Sequence, residues 1–288
     1  MHSIYKTIFI LSIGLVIASI AVLLVFGLKL GIDFKGGSIL EVEFKNRPEL
    51  SKVQASLADK GEINLNNFGD TGLMIKTKDL SEQEHQVIIS KLKFSFGADN
   101  AVEKRFESVG PIIGQELKHK SIVAITLVLI CVATYIAFVF RKMGKTLSPW
   151  TMSMAAIIAL AHDVIIPLGV FSLLGKFYGI EISGIFVAAV LTILGYSVSD
   201  TVVIFDRVRE NVIRGSKEGF GQIVHRSVMQ TLVRSLNTTM TVLLSLVAIF
   251  FFGGESIKYF SLMLIIGIFL GAYSSIFVAS PLLVWLRK

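Results

Sequence analysis

Among 288 residues there is one cysteine, Cys131, and it stands inside an apolar run. No internal disulfide can form and no cysteine metal cluster is available, so the redox compartment is not readable from thiols. Charge is scarce as well. Asp, Glu, Lys and Arg make up 17% of the chain, against about 25% in a soluble domain, which excludes an ordinary globular protein. In their place stand 53% hydrophobic residues and a mean hydropathy of +0.72. That balance also sets aside disorder, a collagen and a disulfide scaffold. Long apolar runs without charges identify an integral membrane protein.

At roughly 20 apolar residues per span, six segments qualify: Ile8–Leu28, Ser121–Phe140, Trp150–Leu174, Ile182–Phe205, Val228–Phe252 and Tyr259–Leu286. The first follows Lys6 but is too long for the apolar region of a secretory signal and continues without a small-residue cleavage pattern, so it is expected to stay as a span. Six spans put both termini on one side. The short loops on that side hold 12 Lys and Arg, among them Arg141, Lys142, Lys145, Arg207, Arg209, Lys217 and Lys288, while those opposite hold only Lys176 and Lys258. Lys and Arg accumulate in cytoplasmic loops, so both termini are expected in the cytoplasm. The net charge of +7 then divides into −2 over residues 31–119 and +9 elsewhere. A nucleic-acid partner needs a basic soluble face, and the one soluble segment is slightly acidic.

That segment, between the first two spans, has globular composition. Ser38–Lys45 alternates, with Leu40, Val42 and Phe44 on one face and Glu41, Glu43 and Lys45 on the other, as in a half-buried strand. Pro48–Lys60 carries Leu50, Val53 and Leu57 at helical spacing and stops at Gly61. Two strand-like runs follow, Glu62–Phe68 and Leu73–Thr77, parted by Gly69, Asp70 and Gly72. Ser81 and Glu84 make a capping box for a helix to about Phe96, stopped by Gly97, and Ala101–Val109 is the last strand. The order βαββαβ is that of a ferredoxin-like unit. His85, alone on a charged helix, is expected to be solvated. No His, Cys, Asp and Glu set has metal-ligand spacing, and neither a nucleotide motif nor a cofactor site is present in the sequence. The fold class expected is an α-helical polytopic membrane protein with one α+β ferredoxin-like periplasmic domain. Its parts are a first transmembrane span (1–30), the periplasmic domain (31–118) and a five-span domain (119–288) with a cytoplasmic loop at 206–227.

Of the seven acids outside the soluble segment, only Asp163 and Asp200 fall inside spans. A carboxylate in the bilayer core costs several kcal/mol and normally faces the bundle interior or a water-filled path, so both are candidates for function. Asp163 lies beside His162, near mid-bilayer. Asp200 lies six residues inside Asp206, and Arg234 six residues inside the expected start of the fifth span at Val228, about 9 Å in each case. An Asp200–Arg234 pair is therefore geometrically possible. The fifth span also carries Thr231, Thr238, Thr241 and Ser245, which with Arg234 repeat at helical spacing as a polar stripe. Such a stripe can hydrate a path or hold neighbouring helices together. Small residues every fourth position, Gly267, Gly271, Ser275 and Ala279 on the sixth span and Gly184, Ala188 and Thr192 on the fourth, are expected to let helices or another subunit approach closely. The segment from Asp206 to Ser227 reads as a membrane-surface helical hairpin.

Taken together, "GIDFKGG" from Gly31, "VGPIIGQEL" from Val109, "AHDV" in the third span and "LGYSVSDTVVIFDRVREN" from Leu194 resemble the SecF family of bacterial protein export, within the resistance-nodulation-division superfamily. "QTLVRSLNTT" from Gln230 and "FFGGESIKYFSLMLIIGIFLGAYSSIFVASPL" from Phe251 extend the likeness over nearly the whole chain. The resemblance implies a non-enzymatic subunit in the cell inner membrane. It would pair with SecD, associate with the SecYEG channel, and use the proton-motive force to help complete preprotein translocation after the ATP-driven step by SecA. YajC and YidC are implied as further partners, and unfolded preprotein as the substrate. Asp200 and Arg234 fall on positions that the family uses in proton coupling, and Asp163 sits in a family motif. Two other readings remain open from the residues: a proton-coupled exporter of small hydrophobic molecules or lipids, and a structural scaffold in which Asp200 and Arg234 only lock helices together.

Overall fold

The alternating run after "GIDFKGG" does form a strand, and at its start a Cβ on Gly36 or Gly37 would meet backbone atoms within 3.0 Å. The structure, a computed structural model, describes residues 3–60, 63–69, 71–98, 100–143, 147–215 and 218–287. The expected stop at Gly61, the start of the second strand at Glu62, the turn residue Asp70 and the loop cations Lys145, Lys217 and Lys288 lie outside them. Along the chain come α1 (Ser3–Phe26), the one-turn α2 (Ile32–Lys35), β1 (Gly37–Phe44), α3 (Leu50–Ser56), β2 (Asn64–Phe68), β3 (Gly72–Thr77), α4 (Glu82–Phe96) and β4 (Ala101–Val109). These are followed by α5 (Pro111–Val139), α6 (Pro149–Tyr178), α7 (Gly184–Ile213), α8 (Phe220–Phe252) and α9 (Glu255–Ser274), which runs through a π-helical turn, Ser275–Ala279, into α10 (Ser280–Trp285). The chain divides into two units, one of residues 30–122 and one of the remainder.

The smaller unit is a four-stranded antiparallel sheet in the order β2-β3-β1-β4. Its core is Leu40, Val42 and Phe44 of β1, Leu73 and Ile75 of β3, Val53 and Leu57 at α3, and Ile88, Ile89 and Leu92 of α4. The period-2 pattern of β1 puts those three side chains on one face, and the period-3.6 patterns of α3 and α4 cover it. Ser81 caps α4 as expected: its backbone N–H donates to Glu84 at 2.8 Å while its hydroxyl accepts from the Glu84 backbone. His85 departs from expectation. It is buried, its ring stacks on Phe106 with centroids 3.8 Å apart, and its two nitrogens lie 3.2 Å from Glu82 and 3.1 Å from Glu103. Phe106 on the neighbouring strand covers the ring, a cross-element contact that helix composition does not disclose.

Among the described residues six helices are long and apolar enough to cross a membrane: Ile4–Phe26, Pro111–Val139, Pro149–Tyr178, Gly184–Ile213, Phe220–Phe252 and Ile257–Trp285. In the larger unit α6 packs against α1, α7 and α9, and α8 packs against α7 and α9. Close approach depends on missing side chains. A Cβ at Gly267 would meet Ile193 at 2.2 Å, one at Gly271 would meet Ser197 at 3.0 Å, and one at Gly169 would meet Ser19 at 2.6 Å. The small residues of the last span thus seat α9 on α7. Those expected to do the same on α7 do not take part in that contact: Ala188 and Thr192 are exposed.

The helical hairpin expected at the membrane surface is instead the continuation of two spans. Residues 206–213 finish α7 and residues 220–227 open α8. Asn211 ties them by donating to Ser227 at 2.8 Å and to Gln230 at 3.0 Å.

Candidate functional site

The acids of the two central spans are both inside the bundle. Asp163 on α6 is completely buried. Its Oδ2 accepts the hydroxyl of Ser197 from α7 at 2.6 Å and that of Ser274 from α9 at 2.7 Å, and its Oδ1 lies 2.8 Å from Nδ1 of His162. Three helices therefore meet on one carboxylate. The His162 ring stacks on Tyr273 with centroids 5.9 Å apart, and Tyr273 shares a 2.8 Å hydrogen bond with Ser12 of α1.

Asp200 is also buried, and its Oδ1 accepts the Ser235 hydroxyl of α8 at 3.0 Å. Thr239, one turn further along α8, faces the same carboxylate without reaching hydrogen-bond geometry. Next to Asp200 in sequence, Thr201 shares a 2.8 Å hydrogen bond with Ser275, the first residue of the π-helical turn. Ser275 follows Ser274 in sequence, so the π-helical turn begins beside a hydroxyl that holds Asp163. π-helical turns are rare and concentrate at functional sites.

Arg234 does not form an ion pair with Asp200. It is near enough to attract the carboxylate, but among the described residues no ion pair joins Arg234 to an acid, and its side chain is exposed. Helical geometry gives the reason. Ser235, one residue on, points at Asp200, and a 100° step turns Arg234 away. Arg234 instead lines an open cleft of about 600 Å³ with Tyr135, Asp206, Arg207, Gln230 and Thr231. The matched depth is real although the spans are longer than expected: Asp200 lies 13 residues before the end of α7, and Arg234 lies 14 residues after the start of α8.

The polar stripe is likewise rotated. Thr231 is buried, but Thr238, Thr241 and Ser245 are exposed and donate to carbonyls of their own helix, at 3.1, 2.7 and 3.2 Å. The buried polar face of α8 is Ser227, Thr231, Ser235 and Thr239, every fourth residue. Sequence reasoning passed over Ser197, Ser235 and Ser274 as donors to the two acids. The available signal was a concentration of hydroxyls in an otherwise apolar span, as in "YSVSDT". Among the described residues no group of three or more His, Cys, Asp and Glu is placed to hold a metal ion.

Membrane-length helices closing over two carboxylates and a set of hydroxyls define a multi-pass membrane protein with a polar interior. Comparison with known proteins gives it a family. The family described as protein export membrane protein SecD/SecF, C-terminal, matches residues 88–288, and the SecD/SecF GG motif matches residues 21–46. The protein translocase subunit SecF of Thermobaculum terrenum is 44% identical over 97% of this chain and 92% of its own length, and that of Vibrio alginolyticus is 38% identical over 96% and 86%. The crystal structure of SecDF from Thermus thermophilus, described as a translocon-associated membrane protein, superposes with a TM-score of 0.83 at 32% identity over 98% of this chain. SecDF in a super-membrane-facing form superposes with a TM-score of 0.68. This chain spans 38% of the length of each SecDF chain. The chain belongs to the SecD/SecF family and is a subunit of the Sec protein translocation machinery.

Proposed function

We propose that this chain is the SecF half of a proton-coupled export unit. With a SecD partner it would use the proton-motive force to help complete preprotein translocation through the SecYEG channel after the ATP-driven step by SecA, with YajC and YidC as associated proteins. The observation that carries the reading is Asp200, a buried carboxylate in a membrane-length helix that is held by a hydroxyl at 3.0 Å while Arg234, close enough to attract it, lines an open cleft. An intramembrane charge so placed is costly and is a candidate for transport chemistry by default.

Protonation of Asp200 cancels its attraction to Arg234 and leaves the Ser235 hydroxyl as its remaining tie to α8. The helices α7 and α8 can then reorient before the proton leaves on the other side. The buried site of Asp163, beside His162 on α6, is a second point of proton uptake. Thr231, Thr238, Thr241 and Ser245 belong to a polar face of α8, the exposed members of which suit a water-lined boundary with the SecD half. The likeness to SecDF structures supports a SecD partner. The strand order and the βαββαβ sequence support a ferredoxin-like fold for the α+β unit. The Lys and Arg bias supports a periplasmic position for it, with both termini in the cytoplasm of an inner-membrane protein.

The test replaces Asp200 by Asn in the assembled complex with SecD and measures late-stage preprotein translocation with and without a proton gradient. Loss of the gradient-dependent stimulation with assembly intact is expected. Full stimulation would overturn the reading and leave a scaffold, whereas altered drug or lipid efflux with intact secretion would point to a small-molecule exporter.

A further inference from the structure

We infer that His162 is the proton-accepting residue of the Asp163 site: its Nε2 takes up the proton, and Asp163 acts by holding Nδ1. The inference rests on the proton-coupled reading and assigns the atom. His162 is 4% exposed and Asp163 is 0% exposed. Oδ2 of Asp163 already accepts two hydroxyls, from Ser197 and Ser274, and Oδ1 faces Nδ1 at 2.8 Å. A carboxylate oxygen has two lone pairs, so a proton arriving at Oδ2 must displace a serine. Nε2 is different: it is buried with no hydrogen-bond partner among the described residues.

Proton bookkeeping then fixes the two states. The 2.8 Å contact needs one proton between Nδ1 and Oδ1. With that proton alone, the ring is neutral on Nδ1 and Nε2 is a bare lone pair, which an apolar surrounding tolerates better than an unpaired N–H. Adding a second proton places it on Nε2 wherever the shared proton sits, because a ring whose Nδ1 accepts from a protonated Asp163 must carry its own hydrogen on Nε2. The loaded pair therefore has a buried N–H without an acceptor, an unfavourable state until something moves to meet it. The ring lies against Tyr273, whose hydroxyl is shared with Ser12 of α1, so a ring that swings or admits water disturbs the α1–α9 contact. The side chains facing the pair are Ser197 from α7, Ser274 and Tyr273 from α9 and, behind Tyr273, Ser12 from α1. Asp163 is the acid paired with His162, and no Lys or Arg forms an ion pair with Asp163 among the described residues.

His162–Asp163 is the single His–Asp dipeptide of the chain, so labelling histidine carbonyl carbon and aspartate nitrogen in this chain alone, assembled with unlabelled SecD in lipid, selects one correlation in the magnetic resonance spectrum. The ring nitrogens of His162 can be assigned from it without a variant. As the pH is lowered, Nε2 is expected to pass from bare to protonated while Nδ1 stays protonated or shared. An Nε2 in one state throughout would overturn the inference. His162→Gln, whose amide can keep a donor on Asp163, is expected to assemble with SecD and to lose the pH dependence of gradient-driven translocation at least tenfold; a pH profile superimposable on the parent would also overturn it. Asp200→Asn separates the two claims, since loss of coupling there beside an unresponsive His162 refutes this inference alone.

Discussion

Ser197 and Asp163 are joined by a 2.6 Å hydrogen bond between α7 and α6, and the same serine lies 3.0 Å from the point where a Cβ at Gly271 would sit. The two facts are linked. Because Gly271 has no side chain, α9 approaches α7 closely enough for Ser274, one turn on, to reach the same carboxylate oxygen at 2.7 Å. The small residues of the last span are thus part of the means by which a buried charge finds enough donors. A carboxylate left short of them would carry its desolvation penalty uncompensated.

Gly271→Ala should cost about 1–3 kcal/mol, the usual range for overpacking a tight contact. The Cβ cannot move away from Ser197 without separating the helices and weakening the bonds to Asp163. Ser197→Ala keeps the Cβ but removes the donor, and should cost about 1–3 kcal/mol by leaving a buried acceptor short. Combined, the two should cost less than their sum, since each disturbs the same bond. Thermal unfolding midpoints of the purified protein in detergent would measure the cycle, and strict additivity would show that the contact and the hydrogen bond are independent.

Ser235 and its exposed neighbours on α8 should behave oppositely under substitution. Ser235→Ala removes the 3.0 Å donor to Asp200 and is expected to destabilise by about 1–3 kcal/mol. Thr238→Ala and Thr241→Ala remove hydroxyls that only return to their own helix at 3.1 and 2.7 Å, and should stay within about 0.5 kcal/mol for the isolated chain. Equal losses at the three positions would mean that α8 is rotated from the orientation described.

Much of this arrangement was legible in the residues. Periodicity gave the four strands and the helices α3 and α4 of the α+β unit but not the one-turn α2, because β1 and α4 each bury one face against the other, and the Ser81–Glu84 box marks a local event that needs no tertiary knowledge. The positions of Asp163 and Asp200 were legible because charge is conspicuous in apolar helices. Their partners were not. Whether Arg234 or Ser235 meets Asp200 turns on one residue of helix rotation, and the spacing of a single chain fixes a face only to within such a step. Helix length was underestimated for a related reason: α7 and α8 run on as Arg207, Gln230, Asn211 and Ser227 bond between them, and a hydropathy reading ends where apolarity ends. His85 was misread because the covering ring, Phe106, comes from a strand 21 residues away.

Acidity should affect the sheet through two neighbouring glutamates of opposite sign. Burial pushes the Glu41 carboxyl above the ordinary range, opposed by Arg105 at 3.8 Å and reinforced by Glu107. A raised folded value means that the contribution of Glu41 is fully present below its unfolded value and is lost as pH rises through the folded one. Glu43, two residues on, is held below the ordinary range by Lys104 at 2.7 Å, so its contribution is present above the unfolded value and is lost as pH falls through the folded one. Glu41→Gln should leave the acid-side loss from Glu43 and abolish the loss on the neutral side. Hydrogen exchange of the β1 and β4 amides in the intact protein, corrected for intrinsic rates, would resolve it; protection in Glu41→Gln that still declines above the carboxylate range would contradict the assignment.

The glycines at the start of β1 set the sharpest contrast with a glycine outside the sheet. Gly36 has φ 79° and ψ 163°, a conformation nearly restricted to glycine, and a Cβ there would lie 2.8 Å from Cα and 2.9 Å from N of Pro111. Gly114 completes the contact, its own Cβ position being 3.1 Å from the backbone N of Gly36. Gly36→Ala therefore meets two penalties: about 1–3 kcal/mol for the backbone region and about 1–3 kcal/mol for crowding. Pro111→Ala should not rescue it, because the closest atoms belong to the backbone rather than to the ring. Gly27 also has a positive φ, 67°, but nothing lies within 4 Å of its Cβ position. Gly27→Ala should cost only about 1–2 kcal/mol for the left-handed backbone, and Gly27→Asn less, since asparagine tolerates that region. The order Gly36→Ala, Gly27→Ala, Gly27→Asn in decreasing loss, with no gain from Pro111→Ala, is the expected ranking by thermal midpoint. A Gly36→Ala variant as stable as Gly27→Ala would show that the Gly36–Pro111 approach relaxes, and that the "GG" pair is kept for backbone conformation alone.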